Sequence, residues 1–180
     1  MSTEPKAEWT EWREAKDEYL KRNPHSPIPQ DQRDRFDGLD YYPYDADYRF
    51  VLALDRFSDP ETVTIDTTTE GTQEYLRWGA FTADIAGESA TVHAFKPASD
   101  PDADHLWVPL RDATSGDTTY GAGRYLDLDA DHRTSDDRWV VDLNYLYSPF
   151  CAYNDAYECP LTPVSNWLEV PVEAGERYED

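Results

Sequence analysis

The sequence predicts a mainly β (α+β) fold, an antiparallel sandwich or partly closed barrel with an N-terminal amphipathic helix packed on it. Helical spacing of apolar side chains is confined to residues 5–22, whereas residues 48–172 hold many short strand-like runs separated by turn signals. Aromatic residues form 14% of the chain and methionine occurs once, so Trp, Tyr, Phe, Leu and Val supply the expected core. A chain of 180 residues fits one domain, 1–180, that buries a core without metal or disulfide staples.

The predicted helix covers residues 5–22. Ser2 or Thr3 can cap its start, Pro5 suits its first turn, and Asn23 followed by Pro24 ends it. The stripe expected to dock the helix on the β body consists of Trp9, Trp12, Lys16, Tyr19 and Leu20. A second, short helical turn is predicted within residues 30–36.

Strands are predicted where β-branched and aromatic residues recur between turn signals. The predicted strands are residues 48–55, 62–67, 74–85, 90–95, 105–110, 123–128, 138–144 and 167–172. Residues 86–89 separate two of these runs and predict a hairpin turn. Acidic loops are expected at residues 100–104 and 129–137.

Charge is the most unusual property of the composition. The chain has 38 acidic and 16 basic residues, for a formal net charge of −22, and only four of the bases are lysines. A nucleic-acid mimic or an acidic tail would concentrate its acids, and a disordered chain would lack aromatics. Here the acids are spread along a chain rich in aromatics, which favours a folded protein adapted to high salt.

The same charge disfavours DNA, RNA and anionic membranes as direct partners. No stretch approaches the ~20 apolar residues of a membrane helix, and the first twelve residues show no basic region followed by an apolar one. We therefore expect a cytoplasmic protein with no nucleic-acid and no membrane partner. The oligomeric state stays open.

The first candidate site is the segment DATSGDTTYGAGRYL at residues 112–126. Its glycines permit tight turns and close approach of backbone N–H groups to a ligand, and Arg124 offers a planar fork for a carboxylate or phosphate. The segment matches neither a P-loop nor the GxGxxG spacing, so no cofactor is predicted. The alternative is a tight hairpin in which Arg124 pairs with a buried Asp.

The second candidate site is residues 142–166, at the start of which acids are scarce. Between residues 140 and 153 the only acid is Asp142, so this surface is either buried or faces something other than bulk solvent. Asp142 and Asn144 are expected on one strand face, and both need partners if that face is interior. Arg124 is the expected bidentate partner of Asp142.

Cys151 and Cys159 are the only cysteines, and no CxxC motif is present. Three states stay open for them: buried free thiols, a disulfide, or a metal or catalytic role. The histidines match no metal-ligand spacing, so no metal site is predicted. No Cys–His or Ser–His nucleophile pair can be assigned.

Both segments carry motifs that resemble an uncharacterised family, the domain of unknown function 1684, with the composition of a haloarchaeal member. The matching residues are 114–116 (TSG), 119–126 (TYGAGRYL), Asp142, Asn144, Pro149, 151–154 (CAYN), Cys159, Pro160, Asn166, Leu168 and 174–176 (AGE). Upstream matches are Ser26, Pro27, Phe36, Gly38, Leu39, Tyr42 and Pro43. Departures are Leu143 for a usual Phe, Ser148 for an Asn, and Thr162 between paired prolines.

The family name confers no activity, but the resemblance implies that several polar residues form one spatial cluster. That implied cluster is Arg124, Asp142, Asn144, Tyr147, Cys151, Tyr153 and Asn154. The candidate ligand-binding residues are these seven together with Ser115, Thr119 and Tyr120.

Three functions are compatible with these observations. The first is a binding domain for a small polar or anionic molecule, with or without catalysis, formed by the two segments. The second is a non-catalytic structural or interaction module in which the same residues form a buried hydrogen-bond network. The third is a thiol or metal site at the two cysteines. A cavity of roughly several hundred Å³ beside Arg124 would favour the first, and a closed, satisfied network the second.

Salt should stabilise this protein. Repulsion among acids that outnumber bases 38 to 16 is long-range in dilute buffer, whereas at molar salt the screening length falls to ~3 Å. We expect the thermal midpoint to rise steadily as KCl increases from millimolar to molar concentration. A midpoint that does not move across that range would contradict adaptation to high salt.

Overall fold

An N-terminal helix is the first element of the structure, a computed structural model that describes residues 4–178. Helix α1 (Pro5–Arg22) has the predicted bounds, and the proposed caps Ser2 and Thr3 lie outside the described residues. Within the predicted stripe Tyr19 is exposed, with 39% of its surface accessible. The buried or half-buried members of the stripe are Trp9, Trp12, Lys16 and Leu20. A second helix, α2 (Gln30–Arg33), is one turn long.

Two antiparallel sheets form the body, which confirms the mainly β fold. The five-stranded sheet has the order β2-β3-β4-β5-β6, with bounds Asp55–Asp66, Thr72–Ile85, Glu88–Pro97, Leu106–Leu110 and Arg124–Leu128. The second sheet pairs β1 (Arg49–Leu52) with β7 (Trp139–Asp142). Neither sheet closes into a barrel. Among residues 4–178, the structure contains no helix with the length and apolar character needed to span a membrane.

The main core lies between the two sheets. Val141 of the small sheet belongs to the same buried cluster as Phe81 and Val108 of the large sheet, and the half-buried Phe50 packs against it. Burying both inner faces against each other removes more apolar surface from water than either sheet could alone. The arrangement therefore resembles a sandwich with one short layer.

The predicted run 48–55 is divided between the two sheets. Strand β1 ends at Leu52, and β2 begins at Asp55, so Ala53 and Leu54 carry the chain from one sheet to the other. Periodicity could not show this division, because both halves have strand-like sequence and only their pairing partners differ.

The predicted hairpin joins β3 to β4 through a tighter turn than expected. Ile85 pairs directly with Glu88, and the two turn residues Ala86 and Gly87 have φ of 52° and 84°. Two successive positive φ values are the signature of a type I′ turn, whose twist matches that of the strands it joins.

The predicted last strand, residues 167–172, is wrong. Trp167 makes one isolated bridge with Arg111, and the chain then continues without strand pairing. The backbone groups of Val172 are taken by side chains: its N–H donates to Asp112 and its carbonyl accepts from Arg124 at 3.0 Å. Side chains here satisfy the groups that a sheet ladder would otherwise pair.

Residues 138–144 also depart from the prediction at their end. Strand β7 stops at Asp142, and Leu143–Tyr145 form a 3-10 turn. The Asp142 carboxylate accepts the backbone N–H of Asn144 at 3.0 Å, which offers the backbone a local alternative to the ladder. Asp142 and Asn144 are therefore neighbours around a turn and not on one strand face.

Gly123 should be far less replaceable than Gly87. Both have positive φ, of 109° and 84°, but an added Cβ at Gly123 would lie 2.8 Å from the carbonyl oxygen of Leu110, whereas at Gly87 it would meet nothing within 4 Å. Gly87→Ala should cost ~1 kcal/mol from the backbone alone. Gly123→Ala should cost roughly 2–4 kcal/mol, because overpacking adds to the same strain.

Urea unfolding of the two variants at one fixed high salt concentration measures this difference. Equal losses would mean that the close approach of backbone at Gly123 contributes nothing.

Candidate functional site

Arg124 is a fully buried arginine, with 0% of its surface exposed. Its guanidinium donates to the backbone carbonyls of Ala174, Glu176 (3.3 Å) and Val172 (3.0 Å). Nη2 also lies 3.6 Å from the carboxylate of Asp112, whose side chain is equally buried. Burial lowers the pKa of Arg124, while the Asp112 carboxylate acts in the opposite direction. Arg124 thus fixes three carbonyls of the C-terminal segment from inside the protein.

Residues of the glycine-rich turn hold the carboxylate of Asp112 in place through hydrogen bonds. Thr114 donates to the Asp112 carboxylate at 2.9 Å and shares a hydrogen bond with Thr119, also at 2.9 Å. The Ser115 hydroxyl lies 3.3 Å from the same carboxylate and accepts the backbone N–H of Asp112 at 3.1 Å. Two of the candidate ligand-binding residues, Ser115 and Thr119, therefore hold a buried aspartate in place.

Glu176 is a second buried carboxylate, with no exposed surface. It accepts from the hydroxyl of Tyr153 and lies 3.4 Å from the ammonium of Lys16, which comes from helix α1. Burial lowers the pKa of Lys16, and the Glu176 carboxylate opposes that shift. This ion pair ties α1 to the same C-terminal segment that Arg124 holds.

Asn144 joins α1 to the start of the β body. Its backbone carbonyl accepts from the indole N–H of Trp9 at 2.7 Å. Its side chain amide donates to the carbonyl of Asp45 at 2.9 Å and accepts the N–H of the same residue at 3.0 Å. A side chain amide that pairs with one peptide in both directions acts as a substitute for a strand neighbour.

The structure does not bring Arg124 and Asp142 together. The buried partner of Arg124 is Asp112, and the Asp142 carboxylate accepts instead from Asn144 and from the hydroxyl of Tyr44 at 3.2 Å. The predicted Arg124–Asp142 pair is therefore wrong, whereas the alternative of a hairpin arginine paired with a buried Asp describes the geometry. Sequence spacing could not rank the two aspartates, since the choice depends on which strands are neighbours.

The remaining candidate residues lie in two other places. Tyr120 contacts the thiol of Cys151, with 3.6 Å between oxygen and sulfur, and both cysteines are free and buried. Burial raises the pKa of Cys159 to about 11. Asn154 donates to the carbonyl of Pro27 at 3.0 Å. Within residues 4–178 no group of three or more His, Cys, Asp or Glu side chains is arranged to hold a metal ion.

A cleft of about 410 Å³ opens between α1 and the sheets, and we call it the helix–sheet cleft. Its walls are Pro5, Glu8, Trp12, Arg49, Leu126, Asp127, Leu128, Asp129, His132, Val140, Asp142, Tyr145 and Tyr147. Two of the predicted residues, Asp142 and Tyr147, are among them. The cleft has the volume typical of a small-molecule site, roughly 300–1,000 Å³.

Asp142 is the buried carboxylate of this cleft, with 6% of its surface exposed. Burial is the largest cause of a raised pKa at Asp142, and its hydrogen bonds from Asn144 and Tyr44 act in the opposite direction. Arg49 lies opposite Asp142 on the paired strand and its charge also lowers the pKa of Asp142, although no cation in residues 4–178 lies within ion-pair distance of the carboxylate. The carboxylate is therefore buried without a cation in contact.

Asp127 is the second carboxylate that faces the cleft. It accepts from the hydroxyl of Tyr147 and lies 3.3 Å from Nε2 of His105, whose pKa the hydrogen bond with Asp127 raises. The aromatic walls are Trp12 and Tyr145, whose rings are 4.8 Å apart. The cleft thus combines aromatic faces with several acids.

Sequence reasoning missed four residues of these networks: Lys16 and Glu176 as a buried ion pair, Asp112, and Asp127. Weak signals were present for three of them. Lys16 is the one charged member of an otherwise apolar helical stripe, Glu176 ends the AGE motif, and Asp112 begins the glycine-rich segment. Asp127 follows that segment with no distinguishing mark.

The chain is similar to one protein family and to a solved structure. The model of the family described as protein of unknown function (DUF1684) matches residues 34–177, which confirms the resemblance drawn from the motifs. The solution NMR structure of an uncharacterised protein from Haloarcula marismortui is similar, with a TM-score of 0.73 and 42% sequence identity. That similarity covers 96% of this chain and 93% of the other. No curated protein matches the sequence.

Double-mutant cycles should separate the two aspartates. Arg124→Met should lower the free energy of unfolding by roughly 3–5 kcal/mol, because it removes the partner of a buried carboxylate. Combined with Asp112→Asn, the losses should fall short of their sum by ~1–3 kcal/mol, since the two side chains are in contact. Combined with Asp142→Asn, the losses should add, because those two residues do not touch.

Denaturant unfolding at one fixed high salt concentration measures all five variants. Coupling between positions 124 and 142, with none between 124 and 112, would contradict the observed pairing.

Proposed function

The chain belongs to the family of proteins of unknown function DUF1684, and from the geometry of its helix–sheet cleft we propose that it binds a small polar molecule carrying a positive charge. The observation that carries this proposal is Asp142, a buried carboxylate on the wall of a cavity of about 410 Å³ with no cation in contact among the described residues. The hydrogen bonds from Asn144 and Tyr44 and the charge of Arg49 offset only part of the cost of burial, since the pKa of Asp142 stays raised, and a ligand cation would stabilise the charged form further.

The charge of the walls supports a cationic ligand over an anionic one. Four carboxylates and one guanidinium, Arg49, line the cleft, so acids outnumber permanently charged bases by three. The anionic ligand expected from Arg124 has no support at this cleft, because Arg124 is fully buried and binds backbone carbonyls.

The aromatic walls point in the same direction. Faces of Trp and Tyr attract ammonium groups through their ring quadrupoles. The protein already uses this interaction beside the cleft, where the Lys16 ammonium lies 4.5 Å from the ring centre of Tyr147 and 5.3 Å from that of Trp12. A ligand ammonium near Tyr145 and Asp142 would meet the same combination of ring and carboxylate.

The second candidate function is a non-catalytic structural or interaction module. The buried network around Arg124, Asp112 and Glu176 favours it, because most motif residues bind backbone groups of the protein itself. A thiol nucleophile is less well supported, since a pKa near 11 at Cys159 keeps its sulfur protonated at neutral pH.

We also propose that the protein works in a salt-adapted cytoplasm. A net charge of −22 and the similarity to a protein of Haloarcula marismortui support this environment. The same charge is the reason for proposing a small molecule and not a nucleic acid as the ligand.

Asp142→Asn should weaken cation binding without unfolding the protein. Because burial raises the pKa of Asp142, the neutral amide should cost little stability. We expect tetramethylammonium, exchanged for K⁺ at constant ionic strength, to raise the melting temperature of the wild type and to shift the Trp12 indole resonance saturably. Asp142→Asn should weaken this binding about tenfold or more.

Asp84→Asn, on the exposed β3–β4 hairpin, makes the same charge change and should leave binding intact. Binding should also weaken as the pH falls through the raised pKa of Asp142, because protonation removes the negative charge. Stabilisation by small anions alone, or equal affinity in Asp142→Asn and wild type, would refute a cationic ligand. The absence of stabilisation by polar compounds of every charge would favour the interaction module.

A further inference from the structure

A second cavity, of about 130 Å³, lies on the other side of the 3-10 turn Ala130–His132. Whereas Asp129 and His132 line the helix–sheet cleft, Ala130 and Arg133 line this second cavity, which we call the Trp78 pocket. Its walls are Leu54, Arg56, Trp78, Lys96, Asp104, Leu106, Ala130, Arg133, Asp137 and Trp139.

The Trp78 pocket reverses the charge balance of the chain. In the whole sequence acids outnumber bases 38 to 16, but the pocket has three bases and two acids. Arg133 and Asp137 neutralise each other, with 2.9 Å between Nε and the carboxylate. Arg56 and Lys96 remain with Asp104 in the wall, and Asp100 and Asp102 of the neighbouring loop also act on Lys96, but neither base makes an ion pair within residues 4–178.

Lys96 is the unusual member of this group, because 91% of its surface is buried. Its ammonium donates one hydrogen bond, to the carbonyl of Pro101 at 3.4 Å, and has three protons to donate. Burial and then the charge of Arg56 lower the pKa of Lys96, and the acids of the neighbouring loop, Asp104 foremost, oppose that shift. The ammonium thus has hydrogen-bonding capacity that the described residues leave unused.

The ring of Trp78 is in contact with both Arg56 and Lys96. The guanidinium of Arg56 lies 4.6 Å from the centre of its ring and the ammonium of Lys96 lies 4.0 Å from it. The two cations are near enough for the charge of Arg56 to lower the pKa of Lys96, and an anion in contact with both would offset that repulsion.

We propose that the Trp78 pocket binds a small oxyanion, either inorganic phosphate or the carboxylate of a small organic acid, in contact with Arg56 and Lys96. A planar guanidinium and an ammonium together provide the fork and the point charge that oxyanions prefer. The volume of about 130 Å³ is below the roughly 300–1,000 Å³ of typical small-molecule sites, which favours an oxyanion with few further atoms.

Inorganic phosphate and acetate are the two probes. Each replaces chloride at constant ionic strength and molar salt, while NMR follows the indole N–H of Trp78. We expect a saturable shift with at least one probe in the wild type. A shift with phosphate alone assigns the site to phosphate, and a shift with acetate assigns it to carboxylates.

Lys96→Met removes the ammonium, keeps the chain length and should weaken binding at least tenfold. Lys6→Met, on the exposed face of α1, makes the same charge change and should bind as the wild type does. Arg56 is exposed, so Arg56→Gln should fold even if Lys96→Met does not. This second variant should weaken binding severalfold. Absence of a saturable shift with both probes, or wild-type affinity in folded Lys96→Met or in Arg56→Gln, would overturn the proposal.

Discussion

The rest of the structure depends on a guanidinium that has been taken out of water. Arg124 is fully buried, so its guanidinium requires partners inside the protein, and both terminal nitrogens have them whereas Nε has none among the described residues. Those partners are the carbonyls of Val172, Ala174 and Glu176 together with the carboxylate of Asp112. The need to solvate one buried cation therefore fixes the path of the C-terminal segment across the sheet, and explains why that segment is not a strand.

The position of α1 follows from that path. Once residues 172–176 are held, the Glu176 carboxylate is buried where Lys16 can reach it, and the hydroxyl of Tyr153 completes its hydrogen bonding. This network then contains two basic and two acidic side chains, so it is neutral although the chain as a whole is not. Trp9 adds a second attachment through the carbonyl of Asn144. The helix–sheet cleft is the space left between a helix fixed at these points and the sheets beneath it.

The two cavities share one short segment but differ in charge. The turn Ala130–His132 separates them, with carboxylates such as Asp127 and Asp142 on one side and the bases Arg56 and Lys96 on the other. Because acids are spread over the whole sequence, the acidic cleft has the same sign of charge as the chain. The walls of the Trp78 pocket, in which bases outnumber acids, differ from the chain in this respect. At molar salt long-range fields are screened within a few ångströms, so a ligand of either cavity would be selected by direct contact.

The sequence by itself determined the class of the fold, the helix at residues 5–22, most strands and the β3–β4 hairpin, because these depend on local periodicity and on glycine at a turn. It also identified the family, through motifs that include Arg124 and the AGE segment. Only the tertiary structure decided that Arg124 pairs with Asp112 and not with Asp142, and that residues 167–172 are not a strand. The free energy of a buried charge depends on the groups around it. Local sequence does not show which segments become neighbours and supply those groups.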